Sequence, residues 1–242
     1  MARRHEYSQH FLRSPQIVAE LVGHTNIRKN DVVYDLGAGS GVITDVLASK
    51  AKEVVAVEVE PGALEQLRTN MRFHDNVTII EKDILDVVPD YETYKIMANP
   101  PFSIITPMIR YFASLVNRPK ALFLIVQKQF ALKTVPSERH FTSQLGVQLA
   151  PYYTARIRKP LKRTDFTPPP AVDTVLLELK MRDETFIDLR EMKLYWAFVE
   201  RCFTDPRELT KMLDRLPSIP ERRKPSELSV ELWVELYSQR VS

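Results

Sequence analysis

At 242 residues the chain is long enough for one α/β domain of about 180 residues with a small appendage. A net charge of +3 excludes a globally basic surface, so any nucleic-acid-binding patch must be local. The single cysteine, Cys202, excludes a disulfide framework or multi-cysteine metal site, and the five histidines show no paired ligand spacing, so no metal is expected.

The amino-terminal stretch is polar and basic, and no window approaches the roughly 18 uninterrupted apolar residues of a membrane span. A cytoplasmic protein with no membrane partner is expected. No repeat or low-complexity block is present.

In chain order, Val32 to Leu36 forms a β-rich run that enters Gly37-Ala38-Gly39-Ser40-Gly41, and an apolar-periodic helix from Val42 to Ala51 leaves it. Three of the chain's six glycines lie in this loop, which implies unusual backbone angles or close approach to a ligand. The G-x-G-x-G spacing differs from the dinucleotide fingerprint and favours a nucleoside lying against the loop over a pyrophosphate on the helix end. A glycine-rich turn without a ligand is the alternative.

The next strand, Glu53 to Glu58, ends in a carboxylate one βαβ step after the loop, where doubly wound folds bind ribose; Glu58 could accept both hydroxyls. A third strand, Val77 to Ile80, leads to Asp83, placed to accept from an adenine amine. Either acid could instead be a solvated loop carboxylate.

The run Lys95 to Ala98 opens into Asn99-Pro100-Pro101-Phe102. This combination suits an exocyclic amine on a flat ring. Such an amine's lone pair is delocalised, and it must be localised before an electrophile can be attacked. The Asn99 oxygen and a proline-flanked carbonyl can accept the amine hydrogens while Phe102 stacks on the base. Pro100 and Pro101 stiffen the turn so that the acceptors are aimed. An ordinary strand-to-helix turn is the competing reading.

A helix over Ile105 to Leu115 and a doubly buried strand, Ala121 to Val126, follow. Gln144 to Ile157 is ambiguous between helix and strand, and Thr174 to Leu179 reads as a strand closing the sheet. Arg156, Arg158, Lys159, Lys162 and Arg163 form a basic run with no acid among them, a candidate RNA contact or else a solvated loop. Arg3, Arg4 and Arg13 form a weaker patch, as do Arg222, Arg223 and Lys224. From about Arg182 amphipathic helices separated by prolines imply a small helical domain.

Glycine loop, strand-end acids and Asn-Pro-Pro-Phe occur in the order found in the S-adenosylmethionine-dependent adenine methyltransferases of ribosomal RNA, which this chain resembles over most of its length. Ser8-Gln9-His10-Phe11-Leu12 is similar to that family's amino-terminal Gln-Asn-Phe-Leu signature, with His10 in place of the asparagine. Phe166-Thr167-Pro168-Pro169-Pro170-Ala171-Val172 resembles its Phe-x-Pro-x-Pro-x-Val signature.

Within the family, Asn-Pro-Pro-Phe and Asp35-Leu36-Gly37-Ala38-Gly39-Ser40-Gly41 are closer to the Erm macrolide-resistance branch. The housekeeping small-subunit enzymes usually carry Asn-Leu-Pro-Tyr and Glu-x-Gly-Pro-Gly.

The resemblance implies a Rossmann-like class I fold, with a seven-stranded mostly parallel sheet over residues 1–181 and an all-helical RNA-binding or auxiliary domain over 182–242. It implies S-adenosyl-L-methionine as donor, S-adenosyl-L-homocysteine as product, and a monomer acting on 23S ribosomal RNA in an unassembled or partly assembled large subunit. The implied cofactor set is Gln9, His10, Leu12, Gly37, Gly39, Gly41, Glu58, Val59, Asp83, Ile84 and Asn99. Phe166 would stack on the target adenine opposite Phe102. A housekeeping small-subunit dimethyltransferase, a DNA adenine methyltransferase and a non-catalytic RNA or transcription factor retaining the fold remain rival readings.

Overall fold

The computed structural model describes residues 10–136, 142–213 and 224–239. A short strand β1 (Phe11–Leu12) precedes α1 (Pro15–Gly23), whose first turn is closed by Ser14 accepting from the Ile17 amide and by Pro15. Alternating units follow: β2 (Val32–Leu36), α2 (Val42–Ala48), β3 (Glu53–Glu58), α3 (Pro61–Met71), β4 (Val77–Glu81), β5 (Lys95–Ala98), α4 (Ile105–Ser114) and β6 (Ala121–Gln127). The chain continues through α5 (Lys128–Thr134), α6 (Gln144–Leu149), β7 (Tyr153–Leu161), β8 (Phe166–Thr167) and β9 (Thr174–Met181). It ends in α7 (Met192–Thr204), α8 (Pro206–Leu213) and α9 (Val230–Ser238).

Seven strands form one sheet in the order β4-β3-β2-β5-β6-β9-β7, and the pairs β3/β4, β2/β3, β2/β5 and β5/β6 are all parallel. This is the expected class I methyltransferase architecture. All five residues of β2 are buried, and so are the first six of β6, as befits strands covered by helices on both faces. The order reverses beside β2, where the chain passes from its β3 side to its β5 side. The carboxyl ends of β2, β3 and β5 therefore meet at a switch point, the crevice where such sheets bind ligands.

β9 does not close the sheet as expected: it lies between β6 and β7, and β7 is the edge. The ambiguous stretch from Gln144 resolves into α6 followed by β7. Lys159 and Pro160 sit on that edge strand, as residues that discourage further pairing do.

Two compact units are present, residues 1–128 with 156–179, and residues 129–155 with 180–242. The second unit thus takes in 129–155 as well as the tail, where a single cut after residue 181 was expected. Its core is aromatic: Tyr195, Phe198, Trp233 and Tyr237 pack edge-on or tilted, with centroids 5.3 to 6.5 Å apart. Among the described residues no helix is long and apolar enough to cross a membrane.

Candidate active site

Gly37, Gly39 and Gly41 all have left-handed φ, +74°, +58° and +93°, which explains glycine at every second position. The loop is tied down from below, since the Gly37 and Ala38 amides both donate to the Val57 carbonyl at 2.9 and 3.0 Å. At Gly41 a Cβ would stand 2.8 Å from a Leu67 methyl, so this glycine also lets α2 approach α3.

Glu58, at the tip of β3, is almost fully buried, at 6% exposure. Its Oε2 accepts from the Gly39 amide at 2.8 Å, and its Oε1 from the Val59 and Glu60 amides at 2.8 and 2.9 Å. A carboxylate offers about four acceptor positions. Glu58 therefore has room for one more donor, where both ribose hydroxyls were expected; a second would have to displace an amide.

Beneath the loop, Asp35 is wholly buried and accepts from the Thr44 hydroxyl at 2.6 Å through Oδ2. Its Oδ1 has no hydrogen-bond partner among the described residues. Burial pushes its carboxyl up to about 7, opposed by the Thr44 bond and reinforced by the negative charge of Glu58.

Beyond β5, Asn99 is half-buried and its Nδ2 donates to the His10 carbonyl at 2.7 Å. With the nitrogen committed, the amide presents Oδ1 as an acceptor, and no hydrogen bond to it is formed among the described residues. Pro100 is buried, and Phe102 opens the single turn ahead of α4. The Phe102 ring is half-exposed and lies 5.9 Å from the His10 imidazole at 38°.

These strand tips wall a cavity of about 460 Å³, within the size range of small-molecule sites. Among the predicted residues, His10, Leu12, Gly37, Gly39, Glu58, Val59, Asp83, Ile84, Asn99 and Pro101 line it. Gly41, Pro100 and Phe102 do not. Asp83 caps the turn that follows it, accepting from the Leu85 amide at 2.8 Å, and keeps an exposed carboxylate at the cavity wall.

Phe11, Glu60, Ala63 and Lys82 also line the cavity without having been singled out. Glu60 carried a legible signal, an acid directly before Pro61 at a helix start. It caps α3 through the Gly62 and Ala63 amides. Phe11, 48% exposed, stands over Gly39.

Phe166 requires correction. It is 1% exposed and belongs to the core with Leu12, Val18, Leu21, Phe123, Leu161 and Leu176. The cause is strand pairing: β8 runs antiparallel to β1 with Phe166 opposite Leu12. That pairing turns the ring into the core, away from the position opposite Phe102.

The basic run is also less free than its sequence implies, because acids arrive from elsewhere. Arg158 lies 3.6 Å from buried Glu178 and donates to the His24 carbonyl; Lys159 pairs with Glu20, and Arg163 with Asp173 at 3.4 Å. Among the described residues Arg156 and Lys162 form no ion pair, and both are exposed. Arg13 donates through Nε to the Phe166 carbonyl and the Thr167 hydroxyl, so it pins β1 to β8. Gln9, Arg3, Arg4, Arg222 and Arg223 lie outside the described residues.

The family model for ribosomal RNA adenine dimethylase matches residues 1–237. The chain belongs to that family. It is accordingly an enzyme, an rRNA adenine methyltransferase of the class I fold.

The family member is 27% identical over 213 residues to the ribosomal RNA small subunit methyltransferase A of Streptococcus thermophilus, covering 84% of this chain and 73% of the relative. It is 26% identical over 237 residues to the Bacillus licheniformis protein of the same name, covering 92% and 80%. Among solved structures, the 23S rRNA methyltransferase ErmE aligns at TM-score 0.79 with 22% identity, covering 96% of this chain and all of that one. A dimethyladenosine transferase from Plasmodium falciparum aligns at 0.77 with 19% identity, covering 95% and 97%. Both structural likenesses speak to the fold.

Proposed function

We propose that this family member transfers methyl groups from S-adenosyl-L-methionine to the exocyclic amine of an adenine in 23S ribosomal RNA, the Erm-type reaction that confers macrolide, lincosamide and streptogramin B resistance. The observation that carries the transfer is the Asn99 amide, oriented by its own nitrogen so that its oxygen presents an acceptor at a cavity wall. An acceptor held there draws on the amine hydrogens and favours a tetrahedral nitrogen with a localised lone pair. Pro100 and Pro101 hold the turn so that little reorganisation is needed.

The donor fits the cavity's chemistry. Among the described residues three carboxylates, Glu58, Glu60 and Asp83, line it against one cation, Lys82, and that balance favours a sulfonium nucleoside. In this reading Glu58 takes a ribose hydroxyl, Asp83 the adenine amine, Val59 and Ile84 flank the base, and the turns at Gly37 and Gly39 leave room for the ligand. When bound, the donor supplies an electrophilic methyl on sulfur. An extruded target adenine stacks on Phe102, and about 1 to 3 kcal/mol per stacked base offsets much of the unstacking cost.

Asn-Pro-Pro-Phe and the Asp35 loop support 23S RNA as substrate. The names of the curated relatives favour a second reading, a housekeeping small-subunit dimethyltransferase. We further infer a monomer working in the cytoplasm on an incompletely assembled large subunit, with Arg156 and Lys162 on RNA phosphates and the helical unit as an RNA-binding or auxiliary part. Primer extension across both ribosomal RNAs, from cells with and without the protein and alongside erythromycin sensitivity, tests the choice. Methyl-dependent stops in 23S RNA with raised resistance are expected; stops confined to 16S RNA would give the second reading.

A further inference from the structure

We propose that the His10 side chain is a positioning residue for methyl transfer, locking the carbonyl that orients Asn99; this rests on the reading of the cavity as a methyl-transfer site. The β1/β8 ladder pairs Leu12 with Phe166 and Phe11 with Thr167. Its next rung would set His10 against Pro168. The Arg13 amide donates to the Asp165 carbonyl in this register, so main-chain bonds recur at every second pair and the His10/Pro168 pair carries none; the ladder itself does not hold the carbonyl that Asn99 uses.

The imidazole ties the two segments together at this pair instead. His10 Nδ1 lies 2.9 Å from the Pro168 carbonyl. A carbonyl can only accept, so Nδ1 carries the proton and donates. The same ring rests against Phe102 and lines the cavity. One residue thus joins three segments distant in the chain: the amino-terminal strand, the Asn-Pro-Pro-Phe turn and the loop after β8. Asn99 Nδ2 donates to the main chain of His10 at 2.7 Å. The side chain therefore acts on the amine acceptor through the placement of its own carbonyl, and no contact of the imidazole with a substrate atom is needed. An asparagine, the residue of the family signature at this position, also carries an N–H donor on a short side chain, whereas alanine and leucine carry none.

The test compares His10→Ala, His10→Leu and His10→Asn with the wild-type chain. Single-turnover methylation of ribosomal RNA at saturating S-adenosylmethionine is measured beside donor affinity and the Asn99 side-chain amide resonances. A displacement of about 1 Å at a reacting group can cost about a hundredfold. His10→Ala and His10→Leu are accordingly expected to slow transfer at saturating donor roughly 10- to 100-fold, more than they change donor affinity, and to move the Asn99 amide resonances toward those of a free asparagine. His10→Asn should recover most of the rate and the wild-type resonances. Leucine keeps apolar bulk beside Phe102, so it replaces alanine in the comparison should the smaller side chain prevent folding.

Asn99 resonances unmoved in either donor-less variant would overturn the inference, as would a loss confined to donor affinity. A wild-type chain that methylates neither ribosomal RNA would sink the proposed function instead, leaving the resonance comparison to decide the role of His10.

Discussion

Two stretches of this chain look alike on paper: Asn99-Pro100-Pro101-Phe102 and Phe166-Thr167-Pro168-Pro169-Pro170 each set an aromatic ring beside prolines at a strand end. In the folded chain they part company. Phe102 follows a parallel strand whose carboxyl end stops at the switch point, and its ring stays half-exposed beside the cavity. Phe166 opens a two-residue strand paired with β1, and that pairing sends its ring into the core. Proline stiffens both loops equally. Only the partner strand decides which ring meets solvent.

The sharpest way to break this comparison is truncation at the buried ring. Phe166→Ala should lower stability by about 3 to 5 kcal/mol, the cost of an emptied aromatic site in a packed core; denaturant unfolding with no loss of stability would return the ring to the surface. At the other stretch, Asn99→Ala should leave unfolding nearly unchanged and slow single-turnover methylation roughly 100- to 1000-fold, as loss of one preorganised polar group does elsewhere. Full transfer at unchanged donor affinity would remove Asn99 from its role.

Burial has a third consequence beneath the glycine loop. Asp35 is pushed up to about 7 in the folded chain from an unfolded value near 3.9, so between these values the folded state holds a proton the unfolded chain has released. Stability therefore falls as pH rises through that window. The difference in unfolding free energy between Asp35→Asn and wild type should shift by about 2 to 3 kcal/mol in favour of the variant from pH 5 to pH 8. A pH-independent difference would place the carboxylate's charge near solvent.

Phe102→Ala should weaken RNA methylation by about 1 to 3 kcal/mol, the worth of one stacked base, with donor binding and stability held. If donor affinity falls equally, the ring packs on the cofactor side. The smallest effect expected is in the basic run. Lys162→Ala should reduce the log-log salt slope of RNA binding by about 0.7, whereas Arg158→Ala, already engaged by Glu178 and the His24 carbonyl, should leave the slope unchanged. Equal changes in slope would erase the distinction between the exposed and the tied cations.

Much of the sheet was legible because its signals are local. The span Glu53 to Glu58 and the run Lys95 to Ala98 carry unbroken apolar stretches of strand length, and the glycines mark left-handed backbone wherever they sit. The stretch from Gln144 to Ile157 was not legible, because a short helix and a basic edge strand share it and neither shows a clean period. Lining residues such as Glu58, Asp83 and Asn99 were legible from their place just after strands; Phe11 and Lys82 had no such mark.

By itself the sequence determined most of the alternation of strands and helices from Val32 to Val126, the turns that need glycine or proline, and the polar groups at the carboxyl ends of parallel strands. All of these follow from residues within a few positions of one another. Only the tertiary structure decided that Phe166 is core, that Glu58 is already engaged by three amides, that Arg158 and Lys159 answer to acids outside their own run, and that His10 meets Asn99 and Pro168. The physical reason is separation: His10 and Pro168 lie 158 positions apart, and Asn99 and His10 lie 89 apart. Contacts of that reach depend on which strands pair, and no pattern within either segment encodes its partner.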